Sequence, residues 1–316
     1  MFDRTGLPKA VTVYEVGPRD GLQNEITIFS AHVKAQLIQR LLKAGLPAVE
    51  IASFVRPDLV PAMADAEEIL AEMAPFLGAH RMVALVPNQR GLDRAISAGV
   101  REIAVFASAT ESFAQANLNN SVAGSLDLFG PVIRQARDAG LRVRGYVSMC
   151  FGDPWEGKVA AEQVVHVAER LFEDGIDELS LGDTIGVATP GDVIDLLSAC
   201  DVRGISRSRL AVHFHDTYGQ GLSNALTALQ EGITTIDSSI AGLGGCPFAK
   251  SATGNLATED LVWQLHGLGI STGVNFAELL ETSHWLSETT GLKNRSKVSI
   301  ALSRNMHDET GMVESQ

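Results

Sequence analysis

Two histidines separated by one residue, His213 and His215 in Leu210-Ala-Val-His-Phe-His-Asp216, are of a type and spacing that can share a divalent cation. The run up to His213 is apolar and strand-like. Positions i and i+2 of a strand point to the same face, so both imidazoles face one way, about 7 Å apart along the backbone. By itself the pair is equally compatible with two satisfied polar side chains at a strand end.

Other residues extend the pattern. Asp20, His213, His215 and Asn255 together supply one carboxylate oxygen, two imidazole nitrogens and one amide oxygen. A mixed oxygen and nitrogen set suits octahedral Mg²⁺ or Mn²⁺, with positions left for a chelating substrate. Tetrahedral zinc is a worse match, because no cysteine pair accompanies the histidines. A cation so held polarises a substrate hydroxyl and lowers its pKa.

Arg19, Glu50 and Asp183 are further candidates, each with a plainer reading: a surface ion pair of Arg19 with Asp20, a satisfied carboxylate at a strand edge, a helix N-cap. Cys246 sits in the glycine-rich run Ala241-Gly-Leu-Gly-Gly-Cys-Pro247. It is either a small filler in a tight loop or a thiol on a lid that moves a proton when the loop closes. Cys150 and Cys200 read as buried and inert.

What must position these groups is a repeated phrase, in which a helix-like stretch ends in glycine and a β-rich run follows. It occurs at Lys43-Ala-Gly45 before Ala48–Ile51, Ser97-Ala-Gly99 before Glu102–Phe106, Asp138-Ala-Gly140 before Leu141–Val147, and Glu173-Asp-Gly175 before Glu178–Leu181. Weaker copies precede Leu210–His215 and Thr234–Asp237. Glycine just past a helix end takes the left-handed cap. Adding Val11–Glu15 and Arg81–Val86 gives eight candidate strands, as expected for an α/β fold of the (β/α)8 TIM-barrel type. The barrel is expected over about residues 11–270, with a C-terminal helical segment over about 271–302 and a polar tail at 303–316, all in one domain. An open doubly wound sheet is less well supported, since no Gly-x-Gly-x-x-Gly or P-loop appears. In a parallel barrel the candidate groups fall where an active site belongs, at the carboxyl ends of the strands.

Composition narrows the classes. The net charge of −13 disfavours nonspecific contact with nucleic acid or anionic membrane. No apolar run is long enough for a transmembrane helix, and Met1–Pro8 lacks the apolar core of a signal peptide. An odd number of cysteines, widely spaced, fits a reducing cytoplasm.

Four blocks carry a resemblance: Gly17-Pro-Arg-Asp-Gly-Leu-Gln-Asn24, Ser180-Leu-Gly-Asp-Thr-Ile-Gly186, His213-x-His-Asp-Thr-Tyr-Gly-Gln220, and Ala241–Pro247 followed by Gly254-Asn-Leu-Ala-Thr-Glu259. In order and spacing, from about Val11 to Leu302, the chain resembles the 3-hydroxy-3-methylglutaryl-CoA lyase family of Asp-Arg-Glu TIM-barrel metallolyases. The resemblance implies a metal-dependent retro-Claisen cleavage of an acyl-CoA to acetyl-CoA and acetoacetate. It implies Asp20, His213, His215 and Asn255 as metal ligands, and Arg19 as the group that stabilises the enolate oxygen. It implies Glu50 near the metal, Asp183 and His213 in proton transfer, and Cys246 as the lid cysteine that completes turnover. Lys293, Arg295 and Lys297 are expected either to meet CoA phosphates or to form a solvated face. A homodimer is the default expectation.

The chain departs from the family pattern at Ile26, where lysine is common, at Arg56 and Asp58, and at Asp153, where a cysteine is usual. These positions bear on the acyl tail, so related 3-hydroxyacyl-CoAs such as citramalyl-CoA or longer-chain analogues stay open as substrates. The competing readings are an isopropylmalate or homocitrate synthase, a pyruvate-producing metal aldolase, and a noncatalytic CoA- or metal-binding protein.

Overall fold

The computed structural model describes residues 6–245 and 254–303. Eight parallel strands close into a barrel: β1 Thr12–Glu15, β2 Ala48–Ser53, β3 Arg81–Leu85, β4 Glu102–Ser108, β5 Arg142–Ser148, β6 Glu178–Asp183, β7 Leu210–Phe214 and β8 Thr235–Ser238. Each strand neighbours the next in sequence, and β8 returns beside β1. All eight expected strands are present, six from the glycine-punctuated phrases and two from the runs near Val11 and Arg81.

Helices fill the connections: α1 Ala31–Lys43, α2 Ala66–Met73, α3 Gln89–Ser97, α4 Glu111–Leu118, α5 Val122–Asp138, α6 Ala161–Asp174, α7 Pro190–Val202, α8 Gly221–Gln230, α9 Thr258–Leu268 and α10 Phe276–Thr290. A further helical run spans residues 297–303. No helix among the described residues is long and apolar enough to cross a membrane.

The helices start and stop for local reasons. Ser30 caps α1 by accepting the Val33 amide hydrogen at 3.4 Å. Leu37, Ile38 and Leu41 are then fully buried on one side of the helix. Gly45, at φ +87°, ends it, and a Cβ there would stand 2.5 Å from the Gly273 carbonyl oxygen. Proline opens α7, where its missing N–H costs nothing. Thr189 just before it donates both its hydroxyl (2.6 Å) and its backbone N–H (3.0 Å) to Asp192.

The core has two compartments. Most apolar side chains pack between the strands and the outer helices. A smaller set, Tyr14, Val16, Ala48, Val83, Leu85, Ala104 and Tyr146, fills the inside of the barrel. Glu50, Arg144, Ser180 and Asp237 are also fully buried. Strand register sets the inner layers: Tyr14 pairs with Asp237, Asp237 with His213, and Ser180 with Tyr146. Paired residues in adjacent strands face the same side.

Two buried carboxyl groups hold the segment after β8, Glu15 to β1 and Glu259 to α9. Glu15 accepts backbone N–H groups from Gly17 (2.7 Å) and Ile240 (2.9 Å) and the Thr258 hydroxyl (2.6 Å). Glu259 takes the Ala241 amide hydrogen on both oxygens at 3.0 Å. Burial pushes each carboxyl up from its ordinary 4.5 to about 7, against the lowering effect of these hydrogen bonds. A carboxyl raised in the folded state adds stability that is complete below its unfolded value and is lost as pH rises through the folded one. We therefore expect Tm to fall between pH 4.5 and about 7, and to fall less steeply in Glu259→Gln. Calorimetry on both proteins across this range checks it; parallel curves would clear Glu259 of the effect.

Candidate active site

The candidate ligands converge at the carboxyl ends of β1, β7 and β8. Asp20 sits in a single π-helical turn, Gly17–Gly21, directly after β1. His213 lies within β7, His215 follows it, and Asn255 pairs with His215 in an antiparallel bridge. Donor atoms of Asp20, His213 and His215 all lie within 4.8 Å of one another.

Asn255 donates its amide hydrogens to Asp20 Oδ2 at 2.8 Å and to the Leu243 carbonyl at 2.9 Å. Its amide oxygen is buried and accepts no hydrogen bond from the described residues. A buried acceptor without a partner costs about 1–3 kcal/mol, which a coordinated cation would offset. The donor set and this orphaned oxygen fit a divalent metal. Gly254 makes the approach possible, because a Cβ there would lie 1.9 Å from the Gly242 carbonyl oxygen.

Arg19 and Asp20 are not the surface pair that adjacency alone allows. Arg19 is buried, with its Nε on Glu50 Oε1 and its Nη1 on Asp20 Oδ1 at 2.9 Å. Burial works against the Arg19 charge, but the Glu50 and Asp20 carboxylates more than restore it and raise its pKa. Glu50 is fully buried in β2 and also accepts the hydroxyls of Tyr146 (2.6 Å) and Tyr14 (3.2 Å). Burial pushes both phenols well up, so both remain donors. Glu50 therefore touches Arg19 and the two tyrosines rather than the ligand set, and fixes the guanidinium plane.

His213 Nδ1 lies 3.3 Å from Asp237 Oδ2. Asp183, at the end of β6, accepts amide hydrogens from Val187 and Ala188 at 3.0 Å each. Burial pushes its carboxyl up to about 6, while those amides and nearby His213 pull it down. Asp183 is therefore not an N-cap, since Thr189 caps the following helix and the Asp183 amide partners lie in the loop before it; its carboxyl is poised near neutrality.

Arg19, Asp20, His213, His215, Tyr146, Ser148 and Gly245 are among the residues that line a cleft of about 1140 Å³. Aliphatic side chains stand on its rim among polar ones such as Gln23, Asn24 and Asn117: Ile26 is wholly exposed, and Ile28, Leu59 and Leu128 are each more than two-fifths exposed. Arg56 is on the rim but is paired with Asp58 at 2.5 Å. Asp153 faces elsewhere. It is buried, accepting the Thr110 hydroxyl (2.6 Å) and the amides of Trp155 (2.7 Å) and Glu156 (2.9 Å) in a hairpin turn.

Lys293, Arg295 and Lys297 do not line this cleft. Arg295 Nη1 donates to the Gly244 carbonyl at 2.9 Å, and its backbone N–H to Ala241 O at 2.9 Å, so it braces the loop after β8. Cys246 lies outside the described residues. Cys150 and Cys200 are buried free thiols, and burial pushes both up, Cys200 to about 12, which keeps them inert.

With this geometry in view, the chain can be set beside known proteins. The HMGL-like family model matches residues 10–286. The chain belongs to the HMGL-like family. It is 51% identical over 294 residues to the mitochondrial hydroxymethylglutaryl-CoA lyase of Bos taurus, covering 93% of this chain and 90% of that protein. It is 48% identical to the mitochondrial hydroxymethylglutaryl-CoA lyase of Arabidopsis thaliana, covering 98% of this chain but 65% of that longer protein. The solved hydroxymethylglutaryl-CoA lyase from Pseudomonas aeruginosa superposes with a TM-score of 0.91 at 46% identity, over 95% of this chain and all of that one.

Sequence reading missed three members of this HMGL-like site: Asp237, Arg144 and Tyr14. Arg142-Val-Arg-Gly-Tyr146 does place Arg144 and Tyr146 on one strand face, and a buried strand that carries polar residues at period two was the available clue. Removing one partner of a buried ion pair is expected to cost about 3–5 kcal/mol. Glu50→Gln should therefore lower unfolding stability by that amount in a urea titration; an unchanged midpoint would show that Arg19 finds another partner.

Proposed function

We propose that this protein is a divalent-metal-dependent carbon–carbon lyase that cleaves 3-hydroxy-3-methylglutaryl-CoA to acetyl-CoA and acetoacetate. The observation that carries this is the convergence of a buried, carboxylate-held Arg19 with Asp20, His213 and His215 on one cleft, with Asn255 hydrogen-bonded to Asp20, in a member of the HMGL-like family. A divalent cation held by those four residues, Mg²⁺ or Mn²⁺, would supply Lewis acidity that eases deprotonation of the substrate's tertiary hydroxyl.

The protein's own groups do the rest. Asp183 accepts the hydroxyl proton; a carboxyl raised to about 6 has the basicity that such a transfer needs near neutral pH. His213 lies beside that path. As the oxygen becomes a ketone, the adjacent C–C bond breaks and its electron pair passes into the acetyl-CoA enolate. Arg19 faces that charge. Its Nε and Nη1 are committed to Glu50 and Asp20, so the cation is already oriented when the charge develops. Cys246 then delivers the proton to the carbanion carbon. Exposed Lys293 and Lys297 are the side chains proposed to meet the CoA phosphates, with Arg295 serving the loop. The proposal includes a homodimer, the commonest soluble assembly. It also includes a cytoplasmic location, which the unpaired thiols of Cys150 and Cys200 favour.

A second reading is favoured by the rim. With Ile26 fully exposed there and Arg56 engaged by Asp58, the mouth suits an apolar 3-substituent larger than methyl.

Purified protein with Mg²⁺ and a thiol reductant should turn over 3-hydroxy-3-methylglutaryl-CoA, and should lose activity on chelation and in Cys246→Ala. Arg19→Met should lower kcat by about 10²–10³, the usual loss for one preorganised donor. Absence of turnover with Mn²⁺ bound would remove this substrate. Comparing kcat/KM with a longer 3-alkyl homologue separates the two readings: preference for the longer chain selects the second, preference for the methyl compound the first.

A further inference from the structure

We propose that Asp237 is a positioning residue that fixes the tautomer and ring orientation of His213. The proposal rests on the reading of Asp20, His213, His215 and Asn255 as a metal set, and goes beyond it by naming what aims one of its ligands.

Asp237 lies in β8 at the register position paired with His213. Its carboxylate has no exposure to solvent and makes three contacts. Oδ2 takes the Ser180 hydroxyl at 2.9 Å and lies 3.3 Å from His213 Nδ1. Oδ1 takes Arg144 Nη2 at 2.6 Å. A carboxylate with no proton of its own can only accept. His213 must then carry its proton on Nδ1, and Nε2 is the nitrogen that keeps a lone pair. Histidine ligands are commonly aimed in this way, by a carboxylate on the other ring nitrogen.

Arg144 makes the carboxylate dependable. It is a fully buried guanidinium, and Asp237 is its shortest ion-pair partner. With Arg144 Nη2 2.6 Å from its Oδ1, a fixed positive charge stands beside Asp237 and favours its carboxylate form. Arg144 Nη1 also donates to the Tyr146 hydroxyl at 3.1 Å, and that hydroxyl donates to Glu50, the partner of Arg19. One buried cation thus supports both the histidine and the arginine of the cleft.

Two measurements on the full chain test this, neither using turnover. In metal-free wild-type protein at alkaline pH, ¹⁵N shifts of the His213 ring, assigned with His213→Gln, should show a protonated Nδ1 and a bare Nε2. A bare Nδ1 overturns the proposal. In Asp237→Asn, Mn²⁺ affinity measured by titration calorimetry should fall about 10–100-fold. Unchanged affinity in a folded variant also overturns it. If Asp237→Asn does not fold, with Arg144 left unpaired, the wild-type tautomer decides. A wild-type protein that binds no Mn²⁺ counts against the metal reading itself, whereas wild-type binding with an indifferent Asp237→Asn counts against Asp237 alone.

Discussion

A guanidinium shut away from water has to be matched by carboxylates, and Arg144 imposes that condition at the centre of this barrel. Its side chain is fully buried, 2.6 Å from Asp237 and 3.1 Å from Glu178, with the Tyr14 ring centroid 3.6 Å from the guanidinium carbon. Stripping water from such a cation costs several kcal/mol, and good geometry is what repays it. The tyrosine face adds cation–π attraction in a place where no water competes. Such a network is a poor source of net stability. It restricts the interior to one arrangement, because any other leaves a charge unpaired.

From that centre the charges run in two directions. Toward the amino ends of the strands, Glu178 and Glu102 meet Arg81 at 2.8 and 2.7 Å and close the barrel floor. Toward the carboxyl ends, Asp237 leads to His213 and Tyr146 leads through Glu50 to Arg19. The two groups that matter most for chemistry are thus held from beneath by the barrel. The loops above them contribute Asp20 and Asn255, and Glu15 ties those loops together through Gly17, Ile240 and Thr258. Stability comes from elsewhere, mainly the apolar layer between strands and helices, where each buried leucine or isoleucine contributes about 1.5–3 kcal/mol.

The cleft divides its work by depth. Its floor is charged and rigid, built on strands. Its rim mixes aliphatic and polar side chains, and on the segments that follow β1 and β2 Ile26, Ile28 and Leu59 stand in solvent. The proposed reaction centre therefore lies on parts of the protein that cannot vary without disturbing the buried charges. The rim residues can change at little cost to the fold. Departures from the family pattern at Ile26 and Arg56 fall on that rim, and Asp58 pairs with Arg56. Asp153 does not fall there, because it is consumed inside a hairpin turn.

The barrel and much of its site were legible in the sequence, because both rest on local signals. Glycine after a helix and a β-rich run after that glycine announce six of the eight strands, and two further β-rich runs the others, since helix caps and strand propensity act over a few residues. His213 and His215 share a face because strand periodicity is two. Asp20, Asn255, Arg19, Glu50 and Asp183 could be placed at strand ends by counting along the chain. Tertiary structure decided what these residues touch. Glu50 serves Arg19 and two tyrosines, Arg295 braces a loop, and Asp237 and Arg144 join the site. Those contacts cross the barrel between strands far apart in sequence. Register and closure set them, and local periodicity carries no information about which interior side chains will meet once water is excluded.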